Sequence, residues 1–151
     1  MINFSGSSIH KLDSKNRVSV PSQYRKWSDD EQCTFVISIG LDPCLVIRPA
    51  QEYDIYVKKL TLKLSSSSRK HRAYIRKISE GATRVTCDKQ GRLLIPQILM
   101  EKAKLKEKVQ IIGNVNTIEI WNIDAYKHFD LTNVSLDDEI FDEVNLYLEN
   151  S

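Results

Sequence analysis

The chain of 151 residues lacks the features that mark membrane and secreted proteins. No apolar run approaches the roughly 20 residues that span a bilayer. No basic-then-apolar signal segment opens it. Its three cysteines are odd in number and form no Cys-x-x-Cys pair, which favours buried structural thiols in a reduced compartment. We therefore expect a cytoplasmic protein without membrane association.

Signatures of catalysis and metal binding are also missing. The chain has no glycine-rich phosphate loop, no Gly-x-Ser-x-Gly and no His-Glu-x-x-His motif. Its three histidines lie far apart, without the spacing of metal ligands. Asp13 and Asp88 could form a carboxylate pair, but each has an arginine four residues on that would keep it ionised. We expect no enzymatic activity, cofactor, metal or small-molecule substrate.

Positive charge is absent from the C-terminal segment. All 22 Lys and Arg lie within residues 1–127, together with 13 of the 20 acidic residues, so this part has a net charge of +9. Residues 128–151 hold seven Asp or Glu. A basic body suits an anionic partner, although ordinary solvated surface charge gives the same totals.

Two stretches of ten residues align without a gap. They are "LDSKNRVSVP" at 12–21 and "CDKQGRLLIP" at 87–96, which match an aspartate, an arginine and a proline 75 residues apart. Each is followed by a short amphipathic stretch, an apolar run ending in glycine, a polar turn, a second apolar run and a helical pattern. Five matched elements in the same order indicate an internal duplication.

A copy of about 50 residues is too small to bury a good core alone. We therefore expect the copies to interleave into one closed, pseudo-two-fold β-barrel with peripheral helices, in a mixed α+β, mainly β fold. The predicted parts are 1–64 (first copy), 65–79 (a basic helix begun by Ser67 or Ser68), 80–130 (second copy) and 131–151 (an acidic helical tail). The tail has Ser135 as its cap and an apolar face that we expect to pack, on this subunit or on a neighbouring one.

The turns within the motifs carry the candidate chemistry. Asn16 and Gly91 occupy matching positions and are the residue types that best accept a positive φ. Asp13 and Asp88 can hydrogen-bond turn amides or hold an arginine. An arginine displayed on a rigid turn suits bidentate recognition of guanine or phosphate, but an Arg–Asp ion pair that only fastens the turn is an equal alternative.

The stretches "HKLDSKNRVSVPSQYR" and "CDKQGRLLIPQILMEKAKL" resemble the two DxKGR-type motifs of the MraZ family of bacterial transcription regulators. The resemblance extends over residues 3–129. It implies a duplicated AbrB-like barrel of the swapped-hairpin or double-psi type. It also implies a ring-shaped homo-oligomer that binds double-stranded DNA at short direct repeats, in the promoter of the division and cell-wall gene cluster, on the nucleoid.

The same resemblance assigns the family's DNA-contacting arginine to Arg17 and its second-motif counterpart to Arg92. Asp13, Lys15 and Asp88 match motif positions, whereas Asn16 stands where the family usually has glycine. Phosphate contacts are expected from basic residues around the turns: Lys11, Lys15, Arg25 and Lys89.

Two rival functions use the same features. An AbrB-type antitoxin would bind an operator and a toxin, but normally carries one motif per chain. A ring-shaped scaffold would bind proteins without binding DNA.

Overall fold

The computed structural model describes residues 2–27, 33–132 and 138–150. The strands are β1 (Ser7–Lys11), β2 (Arg17–Ser19), β3 (Thr34–Ile39), β4 (Leu45–Pro49), β5 (Thr83–Thr86), β6 (Arg92–Leu94), β7 (Lys108–Asn114) and β8 (Thr117–Asn122). The helices are α1 (Ala50–Lys63), α2 (Arg69–Glu80), α3 (Gln97–Lys102), α4 (Ile123–Thr132) and α5 (Asp138–Glu149), with a 3-10 turn at Ser22–Tyr24.

Six strands form one antiparallel sheet in the order β1-β7-β8-β4-β3-β5, and β2 pairs with β6 in a separate two-stranded ribbon. Strand, strand, short helix, strand, strand, helix recurs from β1 to α1 and again from β5 to α4. The first strand of each set pairs with the third strand of the other, since β1 lies on β7 and β5 lies on β3. Neither set therefore completes its sheet alone.

The core lies between the sheet and the ribbon. Because side chains alternate along a strand, Phe35 and Ile37 face inward, where they join Val18 and Leu93 of the ribbon in one buried cluster. The opposite face of the sheet carries the longer helices. There Trp121 packs with Tyr126 and Phe129 of α4, and Arg48 lies 4.1 Å from the ring centre of Tyr56 in α1. Tyr56 in turn contacts Tyr74 of α2.

The closed barrel expected from the sequence is not formed by strand pairing among the described residues. The six-stranded sheet keeps two edges, β1 and β5, and the ribbon pairs only within itself. The mixed α+β class is confirmed, with a large antiparallel sheet at its centre. The predicted interleaving is present in the pairing of β1 with β7 and of β5 with β3, but β2 and β6 form their ladder with each other and so do not close the sheet.

The connecting helix begins and ends close to the predicted residues. Ser68 is the N-cap of α2, with its Oγ accepting from the amide of His71 at 3.2 Å, and Gly81 is the C-cap. Within the part of the chain that the structure describes, no helix has the length and apolar character needed to span a bilayer. The three cysteine thiols are free, and Cys33 and Cys44 are buried.

The tail forms the expected helix, α5. Every residue of α5 is exposed, and Phe141, Tyr147 and Leu148 show 56%, 68% and 68% of their surface to solvent. Its apolar side is therefore largely open to solvent in this chain. The predicted cap, Ser135, falls outside the described residues.

Candidate functional site

The first motif folds into a tight turn closed by its aspartate. The amide of Asp13 donates to the carbonyl of Arg17 at 2.9 Å, and the amide of Asn16 donates to the carbonyl of Asp13 at 3.1 Å. The Oδ1 of Asp13 accepts from the amides of Lys15 and Arg17, both at 2.9 Å. Its Oδ2 accepts from the Nε of Arg17 at 2.7 Å. The carboxylate therefore fixes both the turn and the direction of the arginine.

The second motif repeats this geometry. The Oδ1 of Asp88 accepts from the amides of Gln90 and Arg92 at 2.9 Å, and its Oδ2 accepts from the Nε of Arg92 at 2.8 Å. The backbone hydrogen bond from Arg92 is the main cause that lowers the pKa of Asp88 below its ordinary range. The equivalent bond from Arg17 lowers the pKa of Asp13 to about 2. Both aspartates bind turn amides and also hold an arginine, so the two roles that the sequence suggests as alternatives are combined.

Both turn apices have the left-handed backbone that the sequence predicts, but they are covered differently. The φ angles are 61° at Asn16 and 76° at Gly91. The side-chain amide of Asn16 donates to the Oε1 of Gln97 at 2.8 Å and stays half-buried. Gly91 is buried because the guanidinium of Arg25 lies directly over it, where an added Cβ would be only 2.6 Å from the Arg25 Cζ.

Arg25 is therefore a part of the second turn. Its Nε donates to the carbonyl of Val20 at 3.0 Å, which holds the guanidinium in place over the glycine. The sequence places Arg25 in the surroundings of the first motif, because it follows Arg17 by only eight residues. The contact with Gly91 carries no local sequence signal.

The ribbon brings the two turns together. β2 and β6 pair with Arg17 opposite Leu94 and Ser19 opposite Arg92. Two further bonds extend the ladder, from the amide of Val20 to the carbonyl of Gly91 and from the amide of Ile95 to the carbonyl of Asn16, both at 3.0 Å.

One carboxylate serves both arginines. The Nη1 of Arg92 lies 3.7 Å from the Oδ2 of Asp13, the same oxygen that binds Arg17. Arg92 thus has two carboxylate neighbours, and Arg17 has Asp13 as the one found among the described residues. The duplication is the only feature of the sequence that suggests a contact between Arg92 and Asp13, since neither motif by itself indicates that the two turns lie side by side.

Basic side chains surround the ribbon at different degrees of exposure. The side chains of Arg17 and Arg92 keep 29% and 28% of their surface in solvent. Lys15 and Lys89 are exposed on the turns. Lys11, also exposed, bonds to Glu107 at 3.0 Å.

An open cleft of about 830 Å³ lies beside the first turn, between it and the segment that joins α3 to β7. Its wall includes Asp13 and Asn16 on one side and Leu105 and Lys106 on the other. Among the described residues, no group of three His, Cys, Asp or Glu could hold a metal ion. The arrangement instead offers guanidinium and ammonium donors on a rigid frame, which is the chemistry of anion recognition.

Comparison with known proteins gives one consistent family. The family model described as "MraZ protein, putative antitoxin-like" matches residues 3–77 and again residues 78–138. The chain is 37% identical over 131 residues to "Transcriptional regulator MraZ" of Clostridium tetani, which covers 87% of this chain and 89% of that protein. Proteins of the same name from Halothermothrix orenii and Mycoplasmoides gallisepticum are 41% and 34% identical, over 79% and 94% of this chain and 80% and 97% of theirs.

Proposed function

This chain belongs to the MraZ family, and we propose that it is a transcriptional regulator, without enzymatic activity, that binds double-stranded DNA through the β2–β6 ribbon. The observation that carries the proposal is the pair of aspartate-held turns, each of which presents a partly exposed arginine. The names of the relatives support regulation of transcription as the general role.

The geometry of Arg17 supports base recognition. An arginine has five N–H donors, and bidentate recognition of guanine O6 and N7 uses two of them. Asp13 takes the Nε donor and fixes the plane of the guanidinium, so the side chain would lose little conformational freedom on binding. A buried arginine could not present its remaining donors to a base, and a freely rotating one would lose more conformational freedom on binding.

We assign base contact to the first turn rather than the second. Arg92 lies between two carboxylates, and its turn is covered by Arg25, so the second motif is better suited to holding the ribbon together. Lys11, Lys15 and Lys89 are exposed and would contact phosphates, which positions a protein on the duplex without reading sequence. Arg25 would act on DNA only indirectly, through the turn that it covers.

The finer assembly is part of the same proposal. We propose that residues 1–64 and 80–130 are AbrB-like repeats of one domain, which assembles with other copies into a ring in the cytoplasm. A ring would present the first turn several times along one face and would match short direct repeats in promoter DNA. Each turn would add modest affinity, and linkage within the ring would multiply their effect.

The test is Arg17→Ala, with Arg92→Ala as its counterpart on the ribbon and Arg84→Ala as a control. Arg84 is an exposed arginine paired with Asp54 at 2.7 Å on the other face of the sheet. Fluorescence anisotropy would follow binding to the DNA upstream of the chain's own gene and to a shuffled duplex. Size-exclusion chromatography with light scattering would follow assembly.

We expect Arg17→Ala to abolish the preference for the upstream DNA while leaving assembly unchanged, because removing a good bidentate base contact costs about 1–3 kcal/mol of discrimination. Arg84→Ala should behave like the parent protein. If Arg17→Ala retains both its affinity and its preference, Arg17 does not read the bases. If the parent protein shows no steep salt-dependent affinity for any duplex, the scaffold function replaces DNA binding.

A further inference from the structure

The swapped strand pairing places a segment of the second copy beside the first turn. β1 leads into that turn and pairs with β7, with Lys11 opposite Lys108. The amide of Leu12 then donates to the carbonyl of Glu107 at 2.7 Å, which ties the segment before β7 to the start of the motif. The surroundings of the first turn are therefore formed by residues that are distant from it in the chain.

This segment, residues 102–108, has an alternating pattern that exposes its lysines. Ala103 and Leu105 are buried, while four lysines are exposed at every second position: Lys102, Lys104, Lys106 and Lys108. The backbone of this segment is held by the end of β8, because the carbonyl of Lys104 accepts a hydrogen bond from the Nδ2 of Asn122 at 2.7 Å. A second bond runs from the amide of Leu105 to the carbonyl of Met100 at 2.9 Å.

Two lysines of this segment are placed beside the first turn, Lys106 by the cleft and Lys108 by its strand pairing. Lys106 lines the same cleft as Asp13 and Asn16 of the first turn. Lys11 and Lys108 lie directly opposite each other on neighbouring strands, an arrangement of like charges that destabilises a sheet unless an anion offsets it. Glu107 partly offsets the repulsion between the two lysines, because its carboxylate lies 3.0 Å from the Nζ of Lys11. The same hydrogen bond lowers the pKa of the Glu107 carboxyl.

The second turn is tied to a neighbouring strand in the same way, but the sequence that leads into that strand is acidic. Its corresponding contact runs from the amide of Cys87 to the carbonyl of Cys33 at 2.9 Å. The residues that precede Cys33 in the sequence include three acidic ones, Asp29, Asp30 and Glu31, and no lysine between 28 and 32. In the sequence, a row of lysines precedes β7, and no such row directly precedes β3.

We propose that Lys104, Lys106 and Lys108 form a phosphate-binding surface with Lys11, so that each DNA contact is built from both copies of the duplicated chain. The phosphate backbone is the partner that this surface fits, because it offers anionic oxygens at regular spacing to a row of exposed ammonium groups. This inference rests on the proposed function, since it assumes that the duplex lies over the first turn.

The test is a variant with Lys104→Gln, Lys106→Gln and Lys108→Gln. The control removes three exposed lysines from α1 and α2, which pack on β3 and β4 and not at the β1–β7 edge of the sheet: Lys59→Gln, Lys70→Gln and Lys77→Gln. Both variants lose the same charge, so a difference between them reports position rather than net charge. The affinity for the upstream DNA and for a shuffled duplex would be measured from 50 to 200 mM salt, with circular dichroism to check folding.

We expect the variant that lacks Lys104, Lys106 and Lys108, called the cleft variant, to bind both duplexes more weakly by about the same factor. The plot of log affinity against log salt should become shallower by about 2–3, because each phosphate that the protein no longer neutralises removes about 0.9 from its slope. The control should keep the parent slope. Glu107→Gln should act in the opposite sense, with tighter binding and a steeper slope, because it removes a carboxylate from the surface.

An unchanged slope in the cleft variant, or an equal loss of affinity in the control, would overturn the assignment of these lysines. Either result could occur while Arg17→Ala still loses its preference for the upstream DNA, in which case the proposed function stands and this inference fails. If the parent protein shows no salt-dependent binding, the proposed function fails first.

Discussion

Replacing Gly91 with alanine tests how the second turn is held. The substitution adds a Cβ at a residue with φ of 76° and places that atom 2.6–2.9 Å from three atoms of the Arg25 side chain. The left-handed backbone costs an alanine about 1 kcal/mol. The guanidinium must also move away, and the Arg25–Val20 hydrogen bond of 3.0 Å would be broken, at about 1 kcal/mol more.

The expected loss is therefore about 2 kcal/mol in the free energy of unfolding. For a chain of this size, 1 kcal/mol corresponds to about 2–4 °C, so the melting temperature should fall by roughly 4–8 °C. Thermal unfolding followed by circular dichroism would measure it. The protein concentration must be the same for all variants, because assembly contributes to the apparent stability.

Arg25→Ala is the partner substitution for a double-mutant cycle, because it removes the guanidinium with which the new Cβ of Gly91→Ala would clash. In the Arg25→Ala background Gly91→Ala should cost only the backbone part, about 1 kcal/mol, so the two substitutions should couple by about 1 kcal/mol in a double-mutant cycle. Asn16→Gly, at the matching apex, should lose only the bond to Gln97. Additive effects of Arg25→Ala and Gly91→Ala would refute the idea that Arg25 fastens the second turn.

Two further predictions follow from the carboxylate at the first turn and from the tail. Because folding lowers the pKa of Asp13 from 3.8 to about 2, its contribution to stability is present above about pH 4 and is lost as the pH falls toward 2. Asp13→Asn should therefore flatten the dependence of the unfolding midpoint on pH in this window, and an unchanged acid profile would contradict this role. Removing residues 138–150 should leave the melting temperature of the unassembled chain within about 2 °C, since every residue of α5 is exposed; a larger fall would mean that the helix packs on the body.

Local signals in the sequence are enough to predict the order of elements and the ends of α2. Ser68 caps that helix with its own side chain, and Gly81 follows its last turn, so both ends depend on residues within a few positions. The conformation of Asn16 and Gly91 is also predictable, because few residue types accept a positive φ.

Contacts between distant residues are not predictable in the same way. The pairing of β1 with β7 depends on how two similar copies share one sheet, and several interleavings satisfy the same apolar pattern. The approach of Arg92 to Asp13 follows from the shared ribbon and has no signal in either motif. The apolar face of α5 shows that periodicity predicts a helix with a side to bury, but does not say what buries it.

The duplication explains why two turns with the same backbone need not do the same work. Pseudo-symmetry repeats the hydrogen bonds that define each turn, because these involve the backbone and one matching aspartate. It does not repeat the side chains that the swapped strands bring alongside. The first turn has Lys106 across the cleft, with Lys108 on the strand paired to β1, whereas the second is covered by Arg25 and shares the carboxylate of Asp13. Under the proposed function the two copies divide the work: Arg92, with two carboxylate neighbours, holds the ribbon together, and Arg17 is presented to DNA.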